Sequence, residues 1–391
     1  MLSTAFLTFF VAILVSAFMA WTIGAGSTGA TPFAPAVGAN AISTMRAAFV
    51  VGILGFGGAA LQGGNVAEAV GSELIRGVSL TAPSVIIALF IAGGLMAVGI
   101  RTGYPIATAF TITGAIIGAG LAIGGAPAWG KYGEIGALWV FGPLIAAGIA
   151  FGLASILPRD DVPDDYSIPL LAGGVSGILV NIEFAIPGYG MSSPAAFVAS
   201  ALPYVTPSVR WALTGTIITC IALLLHRKML TCTTCGMNRF LVVMGGVVAF
   251  SAGASQVGLA VGPLLPLTGG FPVSPAMIIV GGGIGLLAGS WTGAPRMIKA
   301  VSQDYAQLGP RRSISALVPA FLLAQIAVMF GIPISFNQIV ISAILGSGFA
   351  VGGASGISRS KLVVTVGAWI GSFLVAFGVG FGTMVAISGP V

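Results

Sequence analysis

The sequence predicts an all-α polytopic membrane protein built from two inverted repeats, each with broken helices and a re-entrant hairpin. Three observations carry that prediction. The 391 residues are 57% hydrophobic and 6% charged, with a mean hydropathy of +1.08, more apolar surface than a soluble domain of this length could cover. Apolar stretches near the spanning length of about 20 residues recur from end to end. Two phrases also occur twice, about two hundred residues apart. Gly38-Ala39-Asn40-Ala41-Ile42 returns in degraded form as Gly253-Ala254-Ser255-Gln256-Val257, and Gly103-Tyr104-Pro105-Ile106-Ala107-Thr108 returns as Gly331-Ile332-Pro333-Ile334-Ser335-Phe336. Gly- and Pro-broken segments at matching places in two halves point to a transport site. Half-helices meet at such breaks, and their bare backbone ends can hold an ion near the bilayer midplane.

Taken in order, residues 1–157 form an N-terminal transmembrane repeat, 158–239 a linker region with about two transmembrane segments, and 240–391 a C-terminal repeat. The first apolar stretch, 2–25, lacks a basic leader and a small-residue cleavage site, so it is expected to stay as a membrane helix. Further clear stretches are 78–100, 135–157, 211–225, 240–265, 277–291, 314–330 and 362–387. Each Gly-x-Pro phrase follows a long apolar helix and precedes a Gly-rich one, TGAIIGAGLA (113–122) or ISAILGSGFA (341–350). Glycines every few positions let helices approach closely. A short helix, a Pro-marked tip and a second short helix read as a re-entrant hairpin, tolerated only where the tip is buried in protein or lines a wet cavity.

Two stretches hold most of the polar character. Residues 158–169 carry four aspartates and three prolines and read as a solvated linker. Residues 226–239 are basic, through His226, Arg227, Lys228 and Arg239, and the positive-inside tendency expects that loop to be cytoplasmic. Between them lie hydrophobic segments 168–186 and 211–225, joined irregularly by 187–207.

The charge and the cysteines exclude several classes. A net charge of +6 is spread between the spans, so it reads as topology-setting loop charge and not as a nucleic-acid surface. Cys232 and Cys235 form a CxxC without the second Cys or His pair of a zinc site, which leaves a short solvated loop and no metal centre. With one histidine and no nucleophile beside a base, the chain is not expected to be an enzyme.

The hairpin tips hold the candidate chemistry: Thr108 and Thr111 in the first, Ser335, Asn337 and Gln338 in the second, with no Asp or Glu in either. Free N–H groups at a helix start favour anions, and hydroxyls and amides can serve the remaining oxygens of a tetrahedral oxyanion. The plainer reading is that these side chains bond backbone carbonyls and cap short helices. The repetition of the broken segments favours substrate contact.

The duplicated phrases, with Gly63-Gly64-Asn65-Val66-Ala67-Glu68-Ala69-Val70, the run Ala260-Val261-Gly262-Pro263 after the second phrase, and Pro295-Arg296-Met297-Ile298-Lys299-Ala300-Val301, resemble the inorganic phosphate transporter (PiT) family over nearly the whole chain. That family carries two GANDVANA-type phrases and two GLPVSTTH-type hairpins in inverted halves. The resemblance implies a secondary transporter of inorganic phosphate in the cell membrane, embedded in the lipid bilayer and working by alternating access. Its midplane oxyanion site would lie between the hairpins, drawn from Asn40, Ser43, Thr44, Arg46, Thr108, Thr111, Ser255, Gln256, Ser335 and Asn337. A sulfate permease on the same scaffold and an uncoupled anion channel are the alternatives, and a homodimer stays open.

The departures bear on coupling. Family aspartates expected to help bind coupling sodium are replaced by Ala41 and Gln256, and the second Asn of each phrase by Thr44 and Leu259. No cofactor is expected, and Na+ or H+ coupling stays open. Arg46, a turn and a half after Asn40, could face the anion in place of a cation, or snorkel to the interface. Glu183 is the one candidate for a proton-linked carboxylate, or else an acid at the end of a span.

Overall fold

The computed structural model describes residues 4–186, 190–201 and 207–388. Helix α1 (Thr4–Ile23) runs into a π-helical turn at Gly24–Thr28, followed by a short α2 (Ala34–Gly38), α3 (Thr44–Gln62), α4 (Gly64–Ser72), α5 (Ala82–Thr102), α6 (Thr108–Ala122) and α7 (Trp129–Ile156). Helices α8 (Asp164–Leu179), α9 (Pro194–Ser200) and α10 (Pro207–Thr231) link the halves. The second half comprises α11 (Thr233–Val261), a 3-10 stretch (Gly262–Gly270), α12 (Pro275–Thr292), α13 (Ala294–Asp304), α14 (Pro310–Met329), α15 (Phe336–Gly352) and α16 (Arg359–Ser388). Its order of long helix, irregular stretch, span, short helix, span, hairpin and span matches that of the first half. Two short antiparallel pairs, β1 (Ile75–Arg76) with β2 (Ala126–Pro127) and β3 (Phe184–Ile186) with β4 (Gly190–Ser192), close surface connections.

Among the described residues, ten helices are long and apolar enough to cross a membrane, so the chain is a multi-pass membrane protein. Two of them, α3 and the helix from Phe336 to Ser355, are absent from the clear apolar stretches of the sequence. Both carry glycines, and where α3 meets α11 packing explains them: a Cβ on Gly58 would lie 1.8 Å from the Phe250 carbonyl oxygen, and one on Gly253 would lie 1.9 Å from that of Gly55. Helices α3 and α11 therefore touch backbone to backbone, as small residues allow in membranes.

The halves interlock. Helix α6 packs chiefly on α16, and α15 on α7, so each hairpin is embraced by the last span of the other half. The arm leading into each tip is the long apolar helix expected before each Gly-x-Pro phrase, 21 residues in α5 and 20 in α14, so neither hairpin has a short first arm. The chain turns back at Gly103 (φ 76°) and Gly331 (φ 60°), a left-handed conformation that glycine adopts without a Cβ penalty. Residues 104–107 and 332–335 then run without helix to the starts of α6 and α15, which carries those starts back into the interior.

Both linkers differ from expectation. The acidic stretch is helical from Asp164, because Asp164 and Asp165 in the first turn of α8 complement the helix dipole, and Asp164 pairs with Arg311 at 2.6 Å. At 16 residues, α8 spans only about 24 Å, short of a bilayer core. The basic stretch is a tight corner between α10 and α11 instead of a loop. There Cys232 and Cys235 form a disulfide, and the Cys232 sulfur accepts the Cys235 N–H at the start of α11. The irregular connection 187–207 contains α9, and residues 187–189 and 202–206 lie outside the described residues.

Candidate functional site at the hairpin tips

Four pieces of chain meet in the interior: the break in α1, the middle of α11, and the two hairpin tips. The break forms where glycines let α12 lie on the backbone. A Cβ on Gly24 would stand 2.1 Å from the Leu286 carbonyl oxygen. The π turn buries Ser27 and Thr28 completely. The Ser27 hydroxyl donates to Gln256 Oε1 on α11 (3.3 Å), and Gln256 Nε2 donates to the Ile334 carbonyl in the second tip (2.8 Å). Asn337, in the first turn of α15, donates through Nδ2 to the carbonyls of Gly26 (3.0 Å) and Ile106 (2.9 Å). One amide of the second hairpin thus holds both the broken helix and the first tip.

The helix starts themselves are bare. Neither α6 nor α15 has a side-chain cap on its first turn. Ala107 has no group to offer, whereas Ser335 stands in the capping position with its hydroxyl unused. The Thr28, Thr108 and Ser335 hydroxyls and Asn337 Oδ1 are all buried without a hydrogen-bond partner. Each of these residues is 0% exposed. A buried polar atom left unpaired costs about 1–3 kcal/mol. Thr108, Ser335 and Asn337 stand at the two uncapped helix starts, and Thr28 is on the π turn that Asn337 holds through Gly26, an arrangement that could receive a polar ligand.

Two indoles secure the tips from outside. Trp139 of α7 donates to the Pro333 carbonyl (3.1 Å), and Trp369 of α16 donates to the Pro105 carbonyl (2.9 Å). Each half's last span therefore holds the proline of the other half's hairpin. Trp139 also stacks on Phe110 at 3.8 Å between centroids, and its carbonyl accepts from Gln338 (2.9 Å). Near the start of α16, burial pushes the Tyr305 phenol up to about 12. It stays protonated and shares a 2.8 Å hydrogen bond with Thr365, one turn before Trp369.

Of the residues singled out in the sequence, Thr108, Thr111, Ser255, Gln256, Ser335 and Asn337 come together in this buried region. Thr111 and Ser255 bond carbonyls of their own helices, those of Thr108 (2.8 Å) and Ala252 (3.2 Å). Asn40, Ser43, Thr44 and Arg46 are not brought there. Asn40 is exposed just past α2 in a left-handed conformation (φ 58°), Ser43 is exposed before α3, and Thr44 is half-buried. Arg46 is exposed in the first turn of α3, away from the buried cluster at the hairpin tips.

The missed partners are Ser27 and Thr28, and the signal for them was in frame. Gly24-Ala25-Gly26-Ser27-Thr28-Gly29 shares Gly-Ala-x-x-x-Gly with Gly253-Ala254-Ser255-Gln256-Val257-Gly258. In a GANDVANA-type phrase the acid stands fourth, which puts Ser27, and not the Ala41 expected from the sequence, in that position together with Gln256, and these two side chains touch.

Glu183 lies outside this cluster. It is exposed at a cavity of about 730 Å3, lined among others by Gln62, Asn65, Asn181, Thr214 and Gln325. From that cavity a polar chain leads inward. Gln62 Nε2 donates to the Glu183 carbonyl (2.9 Å) and Gln325 Oε1 (3.3 Å), and Gln325 Nε2 donates to the Ser251 hydroxyl (2.7 Å), one turn before Ser255. The charges of Glu73, Lys131 and Glu134 pair among themselves at helix ends.

Residues 23–380 match the phosphate transporter family. Proteins named "Putative phosphate permease" from Thermococcus kodakarensis and Pyrococcus horikoshii are each 28% identical, covering 88% and 90% of both chains respectively. A chloroplastic inorganic phosphate transporter of Arabidopsis thaliana is 24% identical over 94% of this chain and 69% of its own length. Among solved structures, that of a sodium-dependent phosphate transporter has the same fold: TM-score 0.83, covering 98% of this chain and 99% of that one, at 21% identity.

Proposed function

The chain belongs to the phosphate transporter family, and on that premise we propose that it carries inorganic phosphate across the membrane by alternating access, holding the anion where the starts of α6 and α15 meet. The observation that carries this reading is the set of buried, unpartnered oxygens of Thr28, Thr108, Ser335 and Asn337 beside two uncapped helix starts. Three hydroxyls and the first-turn N–H groups would donate to the phosphate oxygens. The partial positive charge of two helix ends would balance its charge without a basic side chain.

The polar chain from Gln62 through Gln325 to Ser251 supports an approach from the large cavity beside α14. The opposite approach would then open when the helices embracing the hairpins shift. At the positions of the family's acids, Ser27 and Gln256 are neutral and already bonded to each other. They offer no negative charge to a cation, which supports phosphate movement without a strict sodium requirement.

Uptake of labelled phosphate into proteoliposomes tests both parts, with sodium and pH gradients imposed separately. Saturable uptake with counterflow, persisting when sodium is replaced by potassium, is the expected result. Non-saturating flux without counterflow would identify a channel, and absence of any phosphate movement would overturn the reading.

A further inference from the structure

Resting on that reading, we infer that Asn337 Oδ1 is the specificity-determining acceptor of the site: it takes a hydrogen bond from a P–OH group, so the site selects protonated phosphate over tetrahedral anions that lack a hydroxyl. The orientation of the amide is fixed by its surroundings. Nδ2 uses both of its hydrogens on carbonyl oxygens, those of Gly26 (3.0 Å) and Ile106 (2.9 Å). The flipped amide would set its oxygen against two acceptors that cannot donate. Oδ1 is therefore held on the other side of the amide, fully buried and without a donor.

Among the described residues, the other unpartnered buried side-chain atoms at the tips and the π turn can donate. The unpartnered Thr28, Thr108 and Ser335 hydroxyls rotate to suit a ligand oxygen, and the uncapped first turns of α6 and α15 offer N–H groups. When an oxyanion takes these donors, Oδ1 is left as an acceptor, and the hydrogen it needs must come from the ligand. Phosphate at neutral pH carries one or two hydroxyls, whereas sulfate carries none. A site built around a substrate hydroxyl rejects the analogue lacking it, because the site's own buried polar atom is then stranded. One stranded acceptor corresponds to roughly ten- to hundredfold in affinity.

The test is competition against labelled phosphate uptake in proteoliposomes at neutral pH by unlabelled phosphate, fluorophosphate and sulfate. Fluorophosphate keeps the tetrahedral dianion and replaces P–OH with P–F. The full-length protein should prefer phosphate over both analogues by roughly ten- to hundredfold. Asn337→Ala should weaken phosphate and shrink that preference to about threefold or less, while Asn337→Thr, whose hydroxyl can accept, should retain most of it. A purely structural amide would lower the affinity of all three anions in proportion and leave their ratios unchanged, and that result overturns the inference. So does a wild-type protein that takes fluorophosphate as well as phosphate, a measurement that needs no variant. Phosphate uptake without preference defeats this inference alone, whereas absence of uptake defeats the transport reading beneath it.

Discussion

The first hairpin presents Ala107, Thr108, Ala109 and Phe110 at its tip, whereas the second presents Ser335, Phe336, Asn337 and Gln338. Their backbones behave alike: a glycine with positive φ, four residues without helix, then an uncapped helix start. Both prolines have their carbonyls held by an indole. Side-chain bonding differs sharply. The second tip receives Gln256, and it sends out Asn337 and Gln338. The first tip sends out no side chain across to the second in any of these bonds. On the proposed reading the labour is divided: the first tip supplies a helix end and one hydroxyl, that of Thr108, whereas the second supplies a helix end, the Ser335 hydroxyl and the Asn337 amide oxygen.

The largest expected effect tests that division directly. The double variant Ser335→Ala/Asn337→Leu should lower apparent phosphate affinity roughly hundredfold, and Thr108→Val roughly tenfold or less, given about 1–3 kcal/mol for each buried polar partner lost. Titration of uptake against phosphate concentration reads both. Equal losses from the two hairpins would break the comparison.

The turns give the next effect. Gly103→Ala and Gly331→Ala both force a Cβ into left-handed backbone, at about 1–2 kcal/mol. At Gly103 that Cβ would meet nothing nearer than Ala300 Cβ at 3.9 Å, whereas at Gly331 it would lie 3.1 Å from the Asn65 carbonyl oxygen. Thermal unfolding in detergent should therefore show the second turn to be the less tolerant, by roughly 1 kcal/mol beyond the shared strain. Equal melting shifts would mean that the α4 backbone gives way.

Much of this was legible in the sequence, unevenly. Spans such as α5 and α16, with mean hydropathy of 2.2, stand out because large apolar residues fill them. Helix α3 is less apolar, at 1.6, and its contact with α11 requires Gly58 against the Phe250 carbonyl and Gly253 against that of Gly55. The hairpin tips were readable since Gly-x-Pro breaks a membrane helix wherever it falls. The α1 partner was not, because Gly-Ala-Asn at 38–40 matches the motif's letters while Gly24–Gly29 matches its frame. Only packing separates them, burying Ser27 against Gln256 and leaving Asn40 exposed. Arg46 was decided in the same way, by its exposure in the first turn of α3, which composition does not carry. The orphaned oxygens were invisible, since a hydroxyl's lack of a partner is a property of its neighbours.

The smallest expected effect concerns the indoles, and it asks whether the two tips are held equally. Trp139→Phe and Trp369→Phe each remove one N–H donor and strand a proline carbonyl, at about 1 kcal/mol of net bond energy. Trp369 touches only the first tip by hydrogen bond. Trp139 reaches both, bonding Pro333 while stacking on Phe110. Phenylalanine preserves most of the stack, so the bond to the second tip is what Trp139→Phe removes. If the second tip carries recognition, that loss should weaken phosphate affinity by about fivefold. Trp369→Phe, which loosens a tip that Asn337 still holds through Ile106, should alter affinity less and show mainly in maximal uptake rate. The reverse pattern, with Trp369→Phe costing the greater affinity, would place recognition in the first hairpin.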